Sequence, residues 1–124
     1  MKGSAPDQRG ENRPTEQPTV GSISALNDAF RRSFTGGRVV ETPGVVALDV
    51  ADRIALRLAV RVFNDFEAAD DPHGEHDFGA FDLLGTRWFW KIDSHNRAMT
   101  GHSPDPADPA VTIRVLTIMR ADEA

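Results

Sequence analysis

DFGAFDLLGTRWFWKID, residues 77–93, decides the fold. Leu84-Gly85-Thr86 carries the glycine of a tight turn, so Asp77 to Leu83 and Arg87 to Asp93 read as the two strands of an antiparallel hairpin. Side chains alternate along a strand, which puts Trp88, Trp90 and Ile92 on one face and Arg87, Phe89 and Lys91 on the other. Alternate tryptophans on a strand of an acidic chain are core residues rather than a base-stacking platform, since such platforms come with a basic groove. The hairpin therefore belongs to a sheet with one well-buried side.

Upstream, Ile23, Leu26, Phe30 and Phe34 recur at helical spacing with Ser22 placed as a cap, and Thr35-Gly36-Gly37 ends that helix. Arg38 to Thr42 reads as a short strand and Pro43-Gly44 as a turn. Asp49 caps a second helix from Val50 to about Phe66. Its apolar side is read as Ile54, Ala55, Leu58, Ala59, Val62 and Phe66, with Arg53, Arg57 and Arg61 on a solvated stripe opposite. Downstream, Ser94 to Ala107 has no periodic apolar pattern and reads as a long loop. Asp108-Pro109 then opens a third helix along Val111, Val115, Ile118, Met119 and Ala121. Helices, a strand and a hairpin without regular alternation give an α+β fold: a small, mainly antiparallel sheet with three helices packed on it.

A chain of 124 residues holds one core, so residues 22–124 are read as a single domain. Residues 1–21 carry three prolines, three glycines and almost no large apolar side chain, and read as a disordered tail. The chain has no cysteine, which excludes thiolate-bound zinc, iron–sulfur clusters, disulfides and thiol catalysis. No apolar run is long enough to span a membrane and no hydrophobic secretion signal is seen, so the expected location is cytoplasmic. Glycine-rich phosphate loops and the G-x-S-x-G elbow are missing, which leaves a nucleotide cofactor and a serine nucleophile without support.

Lys plus Arg total 14 against 19 Asp plus Glu, a net charge of −5 that argues against direct binding to nucleic acid or anionic lipid. The negative charge is local. Asp65, Glu67, Asp70, Asp71, Glu75, Asp77 and Asp82 fall in one run that contains no Lys or Arg. Two segments concentrate polar chemistry. In Asp70-Asp71-Pro72-His73-Gly74-Glu75-His76-Asp77, imidazoles and carboxylates are the ligand types that a divalent metal takes from a thiol-free protein. His73, His76, Asp77 and the distant Asp93 are the candidate ligands, with Glu75 polarising a bound water for hydrolysis. The histidines are three apart with a glycine between, not four apart as in helical H-E-x-x-H. The alternative is a tight turn at Gly74 with His76 and the acids bonded to backbone groups. In Ser103-Pro104-Asp105-Pro106-Ala107-Asp108-Pro109 the prolines stiffen the loop and hold Asp105 and Asp108 near a helix start, either to orient a ligand or simply to cap.

The chain resembles an uncharacterised bacterial family, domain of unknown function 3768, met mainly in alphaproteobacteria and often on plasmids or other mobile elements. The similarity is carried by Leu26-Asn27-Asp28 with Phe30-Arg31, by Thr35 to Val40, by Asn64 to Gly79, by Phe89-Trp90-Lys91-Ile92-Asp93 and by Ser103 through Met119. This chain has Ser94-His95 where similar proteins carry aromatic residues. The resemblance implies no reaction. It implies an accessory factor that engages a host or plasmid protein. Two expectations follow. The first is a binding protein, without cofactor, whose Asp70, Asp71, Glu75, Asp105 and Asp108 meet a basic protein partner. The second is a metal-dependent hydrolase or metal-binding regulator that holds a divalent ion on His73, His76, Asp77 and Asp93.

Overall fold

In the computed structural model, which describes residues 20–124, β2 (Phe78–Leu83) and β3 (Thr86–His95) form the expected hairpin. Leu84 and Gly85 both have positive φ, 59° and 71°, the conformation of a two-residue turn whose twist matches the strands. Trp88, Trp90 and Ile92 are buried on one face, as their alternation requires. Gly79 is fixed by close approach: a Cβ there would lie 2.2 Å from Trp90 Nε1.

The segment after Asp108 departs from the expected helix. Residues Ile113–Arg120 form β4, which pairs antiparallel with β3 from Trp88↔Arg120 to His95↔Ile113. Every second residue, Arg114, Leu116 and Ile118, is buried. The run Val-Thr-Ile-Arg-Val-Leu-Thr-Ile is rich in β-branched residues, which pack better on a pleated surface than on a helix. The capping signal was real but short-lived: Asp108 Oδ1 accepts from Ala110 N at 2.9 Å, and Pro109–Val111 is a single 3₁₀ turn. Strand β1 (Arg38–Glu41) pairs parallel with β4, so the sheet order is β1-β4-β3-β2 and only one of its three pairings is parallel.

Among the described residues three α-helices accompany the sheet, giving the α+β architecture. Helix α1 (Val20–Ser33) begins two residues before Ser22, which therefore lies inside it and does not cap it. The tail expected over residues 1–21 falls outside the described residues except at Val20 and Gly21, which belong to α1. At its C-terminal end the left-handed residue is Phe34, φ 57°, whose N–H donates to Phe30 O at 2.7 Å. Pro43–Val46 is a one-turn helix, α2, where a simple turn was expected.

Helix α3 (Val50–Arg61) is capped by Asp49 as read, with Oδ1 accepting from Asp52 N at 2.9 Å, but it ends before Phe66 and buries the opposite face. Leu56 and Val60 are fully buried, whereas Ile54, Leu58 and Val62 are 61%, 55% and 67% exposed. The cause is electrostatic. Arg53 Nε donates to Glu41 Oε1 at 2.9 Å and Arg57 Nη1 to Glu41 Oε2 at 2.7 Å, and the Glu41 side chain is only 7% exposed. Two arginines read as a solvated stripe are thus turned toward the sheet edge to neutralise a buried carboxylate, and the helix rotates with them. The core joins Phe30, Val45, Leu56 and Val60 to Trp88, Trp90, Ile92, Leu116 and Ile118.

Candidate functional site

The acidic run folds back on itself through backbone turns. Asp70 and Asp71 N–H groups both donate to Glu67 O, and Gly74 N–H donates to Asp71 O at 3.1 Å. Gly74 and His76 take positive φ, 66° and 55°. Asp71 is buried, and its Oδ1 accepts from His76 N at 3.2 Å. It is a structural acid, not a surface one.

His76 is half-buried and held on two sides. Its ring stacks on Phe66 with centroids 3.8 Å apart and planes 4° apart, and Nδ1 lies 3.0 Å from both oxygens of Asp28. Asp28 also accepts from Arg31 Nη1 at 2.9 Å. Arg31 is fully buried; its Nε and Nη2 donate to Val60 O and Phe63 O, closing the C-terminal end of α3, and its guanidinium lies 4.9 Å from the Trp90 ring centroid. Burial works against the Asp28 carboxylate, but the hydrogen bonds from Arg31 and His76 outweigh it and hold its pKa below the usual 3.8. Burial depresses Arg31 in turn, opposed by Asp28, and a guanidinium stays charged regardless.

Beside this network lies a cleft of about 150 Å³ lined by Asn27, Glu75, Asp77, Asp93, His102 and Pro106, among others. The two polar segments meet here, and Asn27 joins them. Its Nδ2 donates to Glu75 O at 3.0 Å, while its Oδ1 accepts from Arg114 Nε at 2.8 Å. Arg114 Nη2 reaches across to Pro106 O. Burial raises the Asp77 pKa above 3.8, and the carboxylates of Asp71 and Asp93 push the same way. Lys91 Nζ lies 3.2 Å from Asp93 Oδ2. Among the described residues the cleft lining contains three carboxylates and no lysine or arginine.

Of the residues singled out in the sequence, Glu75, Asp77 and Asp93 are brought together in this cleft. His76 is held by Asp28 and Phe66, and His73 is exposed. Among the described residues no three His, Asp or Glu side chains are grouped to hold a metal ion. Asp70 is exposed and lines a separate groove of about 470 Å³ with Asp65, Glu67 and Asp82. Asp105 and Asp108 brace their own loop: Asp105 Oδ1 accepts from Ala107 N, and the Thr112 hydroxyl donates to the carbonyls of both. Asn27, Asp28, Arg31, His102 and Arg114 were not singled out as site residues. For two of them a signal exists, since Asn27 and Arg31 continue the four-residue spacing from Ile23 on the apolar side of α1, where polar groups need partners.

The sequence profile of one family, described as a protein of unknown function (DUF3768), matches residues 41–123, about two thirds of the chain. The chain belongs to that family. The DUF3768 span starts at Glu41 and includes the acidic run, strands β2 to β4 and the cleft carboxylates, while Asn27, Asp28 and Arg31 of α1 lie before it. No curated protein and no solved structure is significantly similar to the chain.

Proposed function

We propose that this DUF3768 protein is a non-enzymatic binding protein that takes a cationic group of a basic protein partner into the Glu75–Asp77–Asp93 cleft, with Asp70 on the neighbouring acidic surface. The observation that carries the reading is the lining of the cleft, where Glu75, Asp77 and Asp93 converge without a lysine or arginine; burial and the neighbouring carboxylates push the Asp77 pKa up in the same direction, and a lysine or arginine from outside relieves both. Asp71, Asp105 and Asp108 then support the surface from beneath instead of touching the partner. A cytoplasmic accessory role on a mobile element fits this chemistry, since an acidic surface competes for basic, nucleic-acid-binding sites.

Calorimetric titration of the protein with a lysine-rich peptide at low and high salt tests it. Binding that weakens as salt rises and is lost when Glu75, Asp77 and Asp93 are changed together to Gln, Asn and Asn supports the reading. Unchanged affinity in that variant removes it. The competing reading, a divalent ion on His73, His76, Asp77 and Asp93, requires the His76 ring to leave Asp28 and Phe66. Elemental analysis showing near-stoichiometric metal that disappears in His76→Ala would favour that reading instead.

A further inference from the structure

Strand β2 stands at one end of the sheet, paired on one side with β3. Leu83 and Thr86 flank the two-residue turn and so exchange both backbone hydrogen bonds, and the alternation makes Phe81↔Trp88 and Gly79↔Trp90 the next bonded pairs. It continues at Asp77, whose carbonyl accepts from Ile92 N at 2.8 Å. The backbone N–H and C=O groups of Ala80 and Asp82 fall between these pairs and therefore point outward, and among the described residues nothing hydrogen-bonds to them. Such an edge is a template for a further strand. The groove of about 470 Å³ lies along it, lined by Ala80, Phe81 and Asp82 of β2 and by Asp65, Glu67 and Asp70 of the segment that follows α3.

We infer that an extended segment of a protein partner, bearing lysine or arginine at alternate positions, adds to β2 as a further strand in this groove. The outward groups of Ala80 and Asp82 supply its main-chain bonds, and Asp65, Glu67 and Asp70 meet every second side chain, those directed to the face on which the segment after α3 lies. That face is fixed by Phe63 and Phe66, whose rings pack edge-on against Trp90 with centroids 5.5 and 6.2 Å away. Charge selects the occupant. Arg87, which also lines the groove, is bound to Asp82 at 3.2 Å, and among the described residues no lysine or arginine lies within ion-pair distance of Asp65, Glu67 or Asp70. A second copy joined edge to edge would set these acids against their own images across the twofold, which opposes that pairing. The inference shares a basic protein partner with the proposed function, but it rests on this groove and not on the Glu75–Asp77–Asp93 cleft, so either can fail alone.

The probe is the peptide Thr-Lys-Val-Lys-Thr-Lys-Val, blocked at both ends and titrated calorimetrically into the full chain at low salt, beside two versions N-methylated on its odd or on its even residues. One set of peptide amides faces β2, so one methylated version loses about tenfold or more in affinity, the equivalent of two hydrogen bonds, and the other binds like the parent. Side-chain charge is the same in all three, so a purely electrostatic contact does not separate them. Hydrogen exchange followed by NMR shows the Ala80 and Asp82 amides slowed by the parent peptide. Asp65→Asn, Glu67→Gln and Asp70→Asn together, all at exposed positions, weaken its binding about tenfold with unchanged far-UV circular dichroism. Comparison with the triple cleft variant separates the two readings: loss in the groove variant alone supports this inference and removes the cleft reading, and loss in the cleft variant alone does the reverse. Equal affinity of the two methylated peptides, unslowed exchange at Ala80 and Asp82, or no binding of the parent peptide overturns the inference.

Discussion

Arg114 Nε donates to Asn27 Oδ1 at 2.8 Å across 87 positions of sequence, and both residues are buried. Through this one amide the strand that carries Arg114, the loop ending at Pro106 and the acidic run at Glu75 are held against α1. Burial lowers the Arg114 pKa without discharging it, so its acceptor matters. Asn27→Ala leaves a buried charged donor short of a partner and frees the Glu75 carbonyl. It should cost about 2–3 kcal/mol in urea unfolding. A loss under about 0.5 kcal/mol, the level of an ordinary surface change, would show that the amide is not the joint described.

Asp28 links acid sensitivity to the same region. Its folded pKa lies below 3.8 because Arg31 and His76 outbid the burial that would raise it. A depressed carboxylate contributes stability that is fully present above its unfolded pKa and lost as pH falls through the folded value. Urea midpoints taken from about pH 6 down to about pH 2 should therefore fall more steeply for the wild type than for Asp28→Asn, which has no such proton to bind. Parallel curves for the two proteins would contradict this assignment.

The hairpin and the cap of α3 were legible in the sequence because each is a local device: Gly85 in a two-residue turn, and Asp49 before an apolar helix. Two elements were misread for non-local reasons. Helical and strand spacing compete in residues 111–121, and a buried arginine at position 114 breaks the apolar alternation that would have favoured the strand; its partner, Asn27, lies far away in sequence. On α3 the more apolar side was expected to be buried, yet Glu41 draws Arg53 and Arg57 inward. A neutralised carboxylate on a neighbouring strand acts beyond the reach of periodicity within one helix. The candidate cleft was half legible, since Glu75 and Asp77 come from the acidic run and Asp93 was a distant candidate beside them, while His102 and the bracing residues of α1 come from segments that only the fold brings near.

Leu84 sits in the hairpin turn at φ 59°, a conformation that costs an ordinary residue about 1–2 kcal/mol, and its side chain is 49% exposed. Asparagine adopts this conformation more readily and is the common partner of glycine in such turns. Leu84→Asn should stabilise the protein by about 1 kcal/mol, seen as a higher urea midpoint with an unchanged slope. A lower midpoint would mean that Leu84 contributes packing that outweighs its strain.

Asp77 gives the opposite sign to Asp28. Burial and the neighbouring carboxylates raise its pKa, so the folded protein holds this proton more tightly than the unfolded chain does. The contribution to stability is complete below the unfolded pKa and is lost as pH rises through the folded one, leaving a destabilised ion at neutral pH. Asp77→Asn should therefore melt higher than the wild type at pH 7, and the two should converge below about pH 4, where Asp77 is protonated in both states. Adding a lysine-rich peptide at pH 7 should raise the wild-type melting temperature more than that of Asp77→Asn, because only the wild type has a charge for the cation to relieve. If the variant melts lower at pH 7, the carboxylate is already compensated within the fold, and the electrostatic strain on which the proposed cation site rests is absent.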